Sequence, residues 1–92
     1  MVTLHVSVEV CSGTNCDGYR GFQTQTRTGR TCQKWSAQSP NTHSYQTLYP
    51  NTGLGDHNYC RNPDGDSGGM WCLTADGEAP DWGHCDLSLI HI

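Results

Sequence analysis

Residues 57–72 read HNYCRNPDGDSGGMWC, and the fold turns on which part of this stretch is its signature. From Gly65 onward it offers GDSGG, a setting in which Ser67 could serve as a nucleophile. From Asn62 onward it is a turn-rich loop that carries Asp64 and Asp66 and runs into Trp71 and Cys72. The two readings demand different proteins, one built around a reactive serine and one around an anionic loop beside an indole.

The chain outside this stretch limits the choice. Ninety-two residues suffice for one small domain, and a chain of that size buries only about 60% of the surface it exposes when unfolded. Eleven glycines and a mean hydropathy of −0.65 leave little apolar bulk. Six cysteines, at Cys11, Cys16, Cys32, Cys60, Cys72 and Cys85, compensate for a thin core. In a chain this short they read as a disulfide framework and place the protein in an oxidising, secreted or extracellular setting. A structural zinc is the rival reading, but the closest pair is Cys11-x4-Cys16 and there is no CxxC. No metal and no cofactor is expected. A net charge of −4 with one lysine, Lys34, argues against nucleic acid and against an acidic membrane surface. No stretch is long and apolar enough for membrane insertion, no leader h-region is visible, and no N-glycosylation sequon occurs.

Residues 2–10 alternate apolar and polar side chains (VTLHVSVEV) and predict a strand in an N-terminal extension spanning 1–10. Between Cys11 and Cys85 helical periodicity is broken throughout by Pro40, Pro50, Pro63, Pro80 and the Asn51-Thr-Gly and Asp64-Gly turns. An irregular domain with a few short antiparallel strands follows. It has no internal repeat, and residues 86–92 form an apolar coda.

The cysteines then gain meaning from their neighbours. GYRG (18–21), TGRTCQKW (28–35), YPNTGLG (49–55), HNYCRNPDGD (57–66), WC (71–72) and W..C (82–85) occur in this order. The set closely resembles the kringle domain, with residues 11–90 as the domain and 91–92 as a tail. The resemblance implies a small disulfide-rich triple-loop fold, non-catalytic, in a monomeric module of a larger chain. In that family the second and fourth cysteines are bridged, as are the third and fifth, which implies Cys32–Cys72 and Cys60–Cys85. The first pairs with the last, yet the position five residues after Cys85 is Ile90, and Cys16 is extra. A local Cys11–Cys16 bridge is the economical expectation; a foreign or truncated tail with both thiols partly free is the alternative. Met70 replaces the proline usual before Trp-Cys and is expected to loosen the loop.

A protease reading of Ser67 needs a histidine, an orienting acid and oxyanion donors in register. His43, His57, His84 and Asp56 supply names but no geometry, and the two-barrel protease scaffold needs more than twice this length. Calcium at Asp64-x-Asp66 is equally thin, because the twelve-residue ligand pattern and its terminal glutamate are missing.

Many kringles bind lysine side chains, which implies proteins or peptides presenting lysine as partners. Asp64 and Asp66, two apart, would project to one face of an extended segment, and Pro63 would keep it extended. Trp71 and Trp82 match the binding tryptophans of the family, Leu73 occupies a usual aromatic position, and Tyr45 stands at a cationic one. Where lysine-binding members carry arginine before Trp82, this chain has Asp81. The expected site is anionic at both ends and favours internal lysines or simple amines over C-terminal lysines. Cation–π contact of ~0.5–2 kcal/mol and at most ~3 kcal/mol from four buried methylenes suggest millimolar to micromolar affinity. The other reading is a spacer module without lysine binding. Tyr19, Trp35, His43, Leu54, Tyr59 and Arg61 read as structural, and Asp56 as a solvated carboxylate.

Overall fold

The computed structural model describes residues 11–87, so the strand expected over residues 2–10 and the position of Ile90 lie outside the described residues. Regular structure is sparse, as the spacing of Gly and Pro dictates. Among the described residues, one 3-10 turn covers Thr14–Cys16, and a one-turn helix, α1, covers Tyr45–Leu48. Two three-residue strands, β1 (Trp71–Leu73) and β2 (Trp82–His84), pair antiparallel in the register Trp71↔His84, Cys72↔Gly83 and Leu73↔Trp82.

β1 is the centre of the molecule. Beyond its pairing with β2 it exchanges two backbone hydrogen bonds with Arg61, at 3.0 and 2.8 Å, and Leu73 O accepts from Gln33 N at 2.7 Å. Thr74 prolongs it into a bridge with Cys32. Every residue of β1 is buried, whereas β2 is partly open. Gly83 sits opposite Cys72, and a Cβ there would fall 2.9 Å from Thr26 Cγ2, so the close approach of these segments needs glycine.

Disulfides supply what the small core lacks. The bonds join Cys11 to Cys16, Cys32 to Cys72 and Cys60 to Cys85. The last two cross at the centre, with Cys32 Sγ and Cys60 Sγ 3.7 Å apart. The four sulfurs of this group are all held in disulfides, which removes them as thiolate ligands for a metal. Tyr19, Trp35, Met70, Trp71 and Leu73 pack around them. Met70, which stands in place of the usual proline, is a packed core side chain with 2% exposure. Positive φ at Asn15 and Cys16 curls the first loop until the Cα atoms of Cys11 and Cys16 are 4.5 Å apart.

The remaining structural residues act through hydrogen bonds. Trp35 Nε1 donates to Tyr59 O at 2.7 Å. Arg61, 4% exposed, donates to the carbonyls of Gly21, Cys60 and Gly53 and lies over the rings of Tyr19 and Tyr59. It ties three loops together. Asp56 is exposed, as a solvated carboxylate should be, and its carboxylate also accepts from Ser36 Oγ at 2.8 Å and lies 3.5 Å from Lys34 Nζ. These partners hold its carboxyl below the ordinary range, the Ser36 hydrogen bond foremost.

Candidate functional site

Strand alternation builds the floor of the site. With side chains switching face at each residue, Trp71 and Leu73 of β1 share one face with Trp82 and His84 of β2, while Cys72 points the other way into its disulfide. In front of that face lie the 62–69 loop, the Thr42–His43 segment and the start of α1. Together they enclose a cavity of about 340 Å³. Asp64, Asp66, Trp71, Trp82, Leu73 and Tyr45 all line it, joined by Thr42, His43 and Asp81.

The two loop carboxylates arrive there by a route the sequence reading had wrong. Residues 63–64 form a turn and Gly65 takes a φ of 70°, so the segment is folded back rather than extended. Asn62, 1% exposed, organises the fold-back: its Oδ1 accepts from Asp66 N at 2.8 Å and its Nδ2 donates to Asp66 O at 2.9 Å. The same amide donates to Asn15 O at 2.7 Å, anchoring the loop to the first disulfide loop. Asn62 escaped the sequence reading as a site-builder, although Asn before Pro-Asp-Gly is a turn signal.

Each carboxylate then acquires its own partner. Asp64 Oδ1 accepts from Trp71 Nε1 at 3.1 Å. Asp66 Oδ2 accepts from His84 Nε2 at 2.5 Å, and this bond holds the Asp66 carboxyl below its ordinary value. His84 is the other residue that the sequence reading left out, and its signal was available only once the cross-strand register was known.

Trp71 and Trp82 have different roles. Trp71 is 4% exposed and meets Trp35, Tyr45 and Trp82 edge-on at centroid distances of 5.2, 5.1 and 6.3 Å, so it is chiefly a core residue that shows the cavity an edge. Trp82 is 41% exposed and forms the accessible wall. Tyr45 leans on Trp35 and Trp71, and its phenol is pushed up, first by burial and then by the fields of Asp64, Tyr49 and Asp81.

No lysine or arginine lines this cavity. Arg27 and Arg30 instead line a second cavity of about 620 Å³ that shares the Trp82 wall. Each is already paired, Arg27 Nε with Asp86 at 2.7 Å and Arg30 with both oxygens of Asp76 at 2.8 Å. The first cavity can therefore hold a cation against carboxylates and an apolar stem against indole.

The histidines do not assemble a triad around Ser67. His57 uses both ring nitrogens on backbone groups, donating from Nε2 to Gly53 O and accepting at Nδ1 from Tyr59 N. His43 Nδ1 accepts from Tyr45 N, His84 is spent on Asp66, and among the described residues none is hydrogen-bonded to Ser67.

Comparison with known proteins agrees with this fold. The Kringle domain family matches residues 11–89. A human apolipoprotein(a)-like protein is 48% identical over 83 residues, covering 89% of this chain. The chain spans 61% of that relative's length.

Proposed function

The chain belongs to the kringle domain family, and on that premise we propose that it is an extracellular recognition module for amines, above all lysine side chains within a polypeptide. Kringle domains are non-catalytic interaction modules of larger proteins, which accords with the lack of a histidine bonded to Ser67 among the described residues. One observation carries the amine reading. Asp64, Asp66 and Asp81 border one cavity with Trp71, Trp82, Leu73 and Tyr45, and no lysine or arginine does.

An ammonium set against Asp64 gains a charge-assisted contact, and its methylene stem covers the exposed face of Trp82. A ligand that also carries a carboxylate would bring that group toward Asp81, and like charges oppose it. Simple amines and internal lysines are thus favoured over ω-amino acids and C-terminal lysines.

Tryptophan fluorescence during titration with n-hexylamine tests the reading. A saturable change with a Kd between millimolar and micromolar is expected, and in Asp64→Asn it weakens about tenfold. A spacer module without ligand binding is the competing reading, favoured by the partners that Asp64 and Asp66 already have within the chain. Fluorescence unchanged at tens of millimolar amine would establish it.

A further inference from the structure

The geometry points to a ligand with two positive charges separated by an apolar spacer, rather than a lone ammonium. This inference rests on the amine reading of the same cavity and specifies what fills its far end.

The three aspartates are tied to opposite ends of the β1–β2 ladder. Asp64 is bonded to the indole of Trp71, and Asp66 to His84, the residue paired with Trp71 across the ladder. Both mark the Trp71–His84 end. Asp81 immediately precedes Trp82, which is opposite Leu73, and its carbonyl accepts from Thr74 N at 2.9 Å. It marks the other end. From Trp71 to Thr74 the strand advances on the order of 10 Å at about 3.3 Å per residue. Between the ends lie Trp71, Leu73 and Trp82, an apolar floor and wall.

The ends differ in how far their charge is already met. Asp66 is bonded to a histidine, and Asp64 to an indole N–H. The Asp81 carboxylate makes no hydrogen bond or ion pair among the described residues and is met by the more distant field of Arg30, although it borders the cavity. Tyr45, between them, feels both Asp64 and Asp81. A monoamine satisfies one end and leaves the other unmatched. A linear diammonium with a spacer of five or six methylenes satisfies both and lays its hydrocarbon across the indoles. The same chemistry is offered by a free diamine or polyamine and by two nearby lysines of a polypeptide.

Isothermal titration of the folded domain with n-hexylamine, hexane-1,6-diamine and N-acetyl-Lys-Gly-Lys-amide separates these cases. Two equivalent ends give the diamine a statistical factor of two. A gain of about tenfold over hexylamine is expected, since the second contact is made intramolecularly. In Asp81→Asn, with folding checked by its NMR spectrum, the diamine-to-monoamine ratio should fall to about two. A gain in the diamine or the peptide supports the inference, and the larger of the two identifies the source. A ratio near two in the unaltered protein, or one undiminished in Asp81→Asn, overturns it while leaving the amine reading standing. Failure of hexylamine and diamine alike overturns both.

Discussion

At the scale of single residues, the chain uses buried polar groups to fix loops that hydrophobic contact alone could not. Arg61 is the clearest case. Its guanidinium holds three carbonyls in a buried position, and burial foremost pushes its own pKa below the ordinary arginine value. Arg61→Ala strands those acceptors, and a loss of about 3 kcal/mol in urea unfolding is expected from the unpaired carbonyls and the lost cation–π contacts. His57 gives a second prediction. With Nδ1 accepting from Tyr59 N, the folded state favours the neutral ring, and burial foremost pushes its pKa down. The unfolded chain therefore takes up this proton first as pH falls through about 6.5, and folding loses stability from there downward. In His57→Gln the drop in denaturation midpoint between pH 7 and pH 5.5 should be smaller than in the unaltered domain. Much of this scale was legible beforehand: Tyr19, Trp35 and Arg61 were read as structural from the family motif. Asn62 and His84 were not, because a side chain that closes a loop or meets a carboxylate across a ladder leaves no local periodicity.

At the scale of elements, two three-residue strands do what a larger sheet does elsewhere, because Cys72 in β1 and Cys85 beside β2 are each held to another segment by a disulfide. Arg30 adds a clamp. Beyond Asp76 it donates to Thr74 Oγ1 and Glu78 O, and so holds the turn that joins β1 to β2 and presents Asp81 and Trp82. Arg30→Ala should weaken amine binding severalfold through the loss of this placement, with the largest amide chemical-shift changes in residues 74–82 of its two-dimensional NMR spectrum. The sequence predicted short strands and the gathering of the six site residues, but its reason for pairing Asp64 with Asp66 was incorrect. Alternation in an extended segment does not bring them together; the positive φ of Gly65 and the Asn62 amide do. The family motif named residues that line one cavity, while the way they are brought there depended on backbone handedness that alternation cannot encode.

For the whole molecule, stability rests on disulfides of unequal weight and on carboxylates that ionise readily. A loop-entropy argument assigns about 2 kcal/mol to the five-residue separation of Cys11 and Cys16, against nearly 4 for the forty of Cys32 and Cys72. Replacing Cys11 and Cys16 by serine should leave a folded domain with a modestly lower denaturation midpoint. Loss of the Cys32–Cys72 bridge should leave none at 37 °C. Acid acts through Asp56, Asp66 and Asp76, all held below their ordinary values, Asp76 most strongly by Arg30. Their contribution is present above the unfolded carboxylate value of about 3.9 and is lost as pH falls below it toward their folded values. The acid midpoint should therefore shift upward in Asp76→Asn.

The central claim is that the cavity selects cations and rejects the zwitterions suited to a two-signed site. Its most direct test is a two-dimensional NMR titration of the domain with n-hexylamine and, separately, with 6-aminohexanoic acid. Shifts are expected to centre on the indole N–H groups of Trp71 and Trp82 and on the amides of residues 62–66, with hexylamine the tighter ligand. Tighter binding of 6-aminohexanoic acid at the same residues would contradict it.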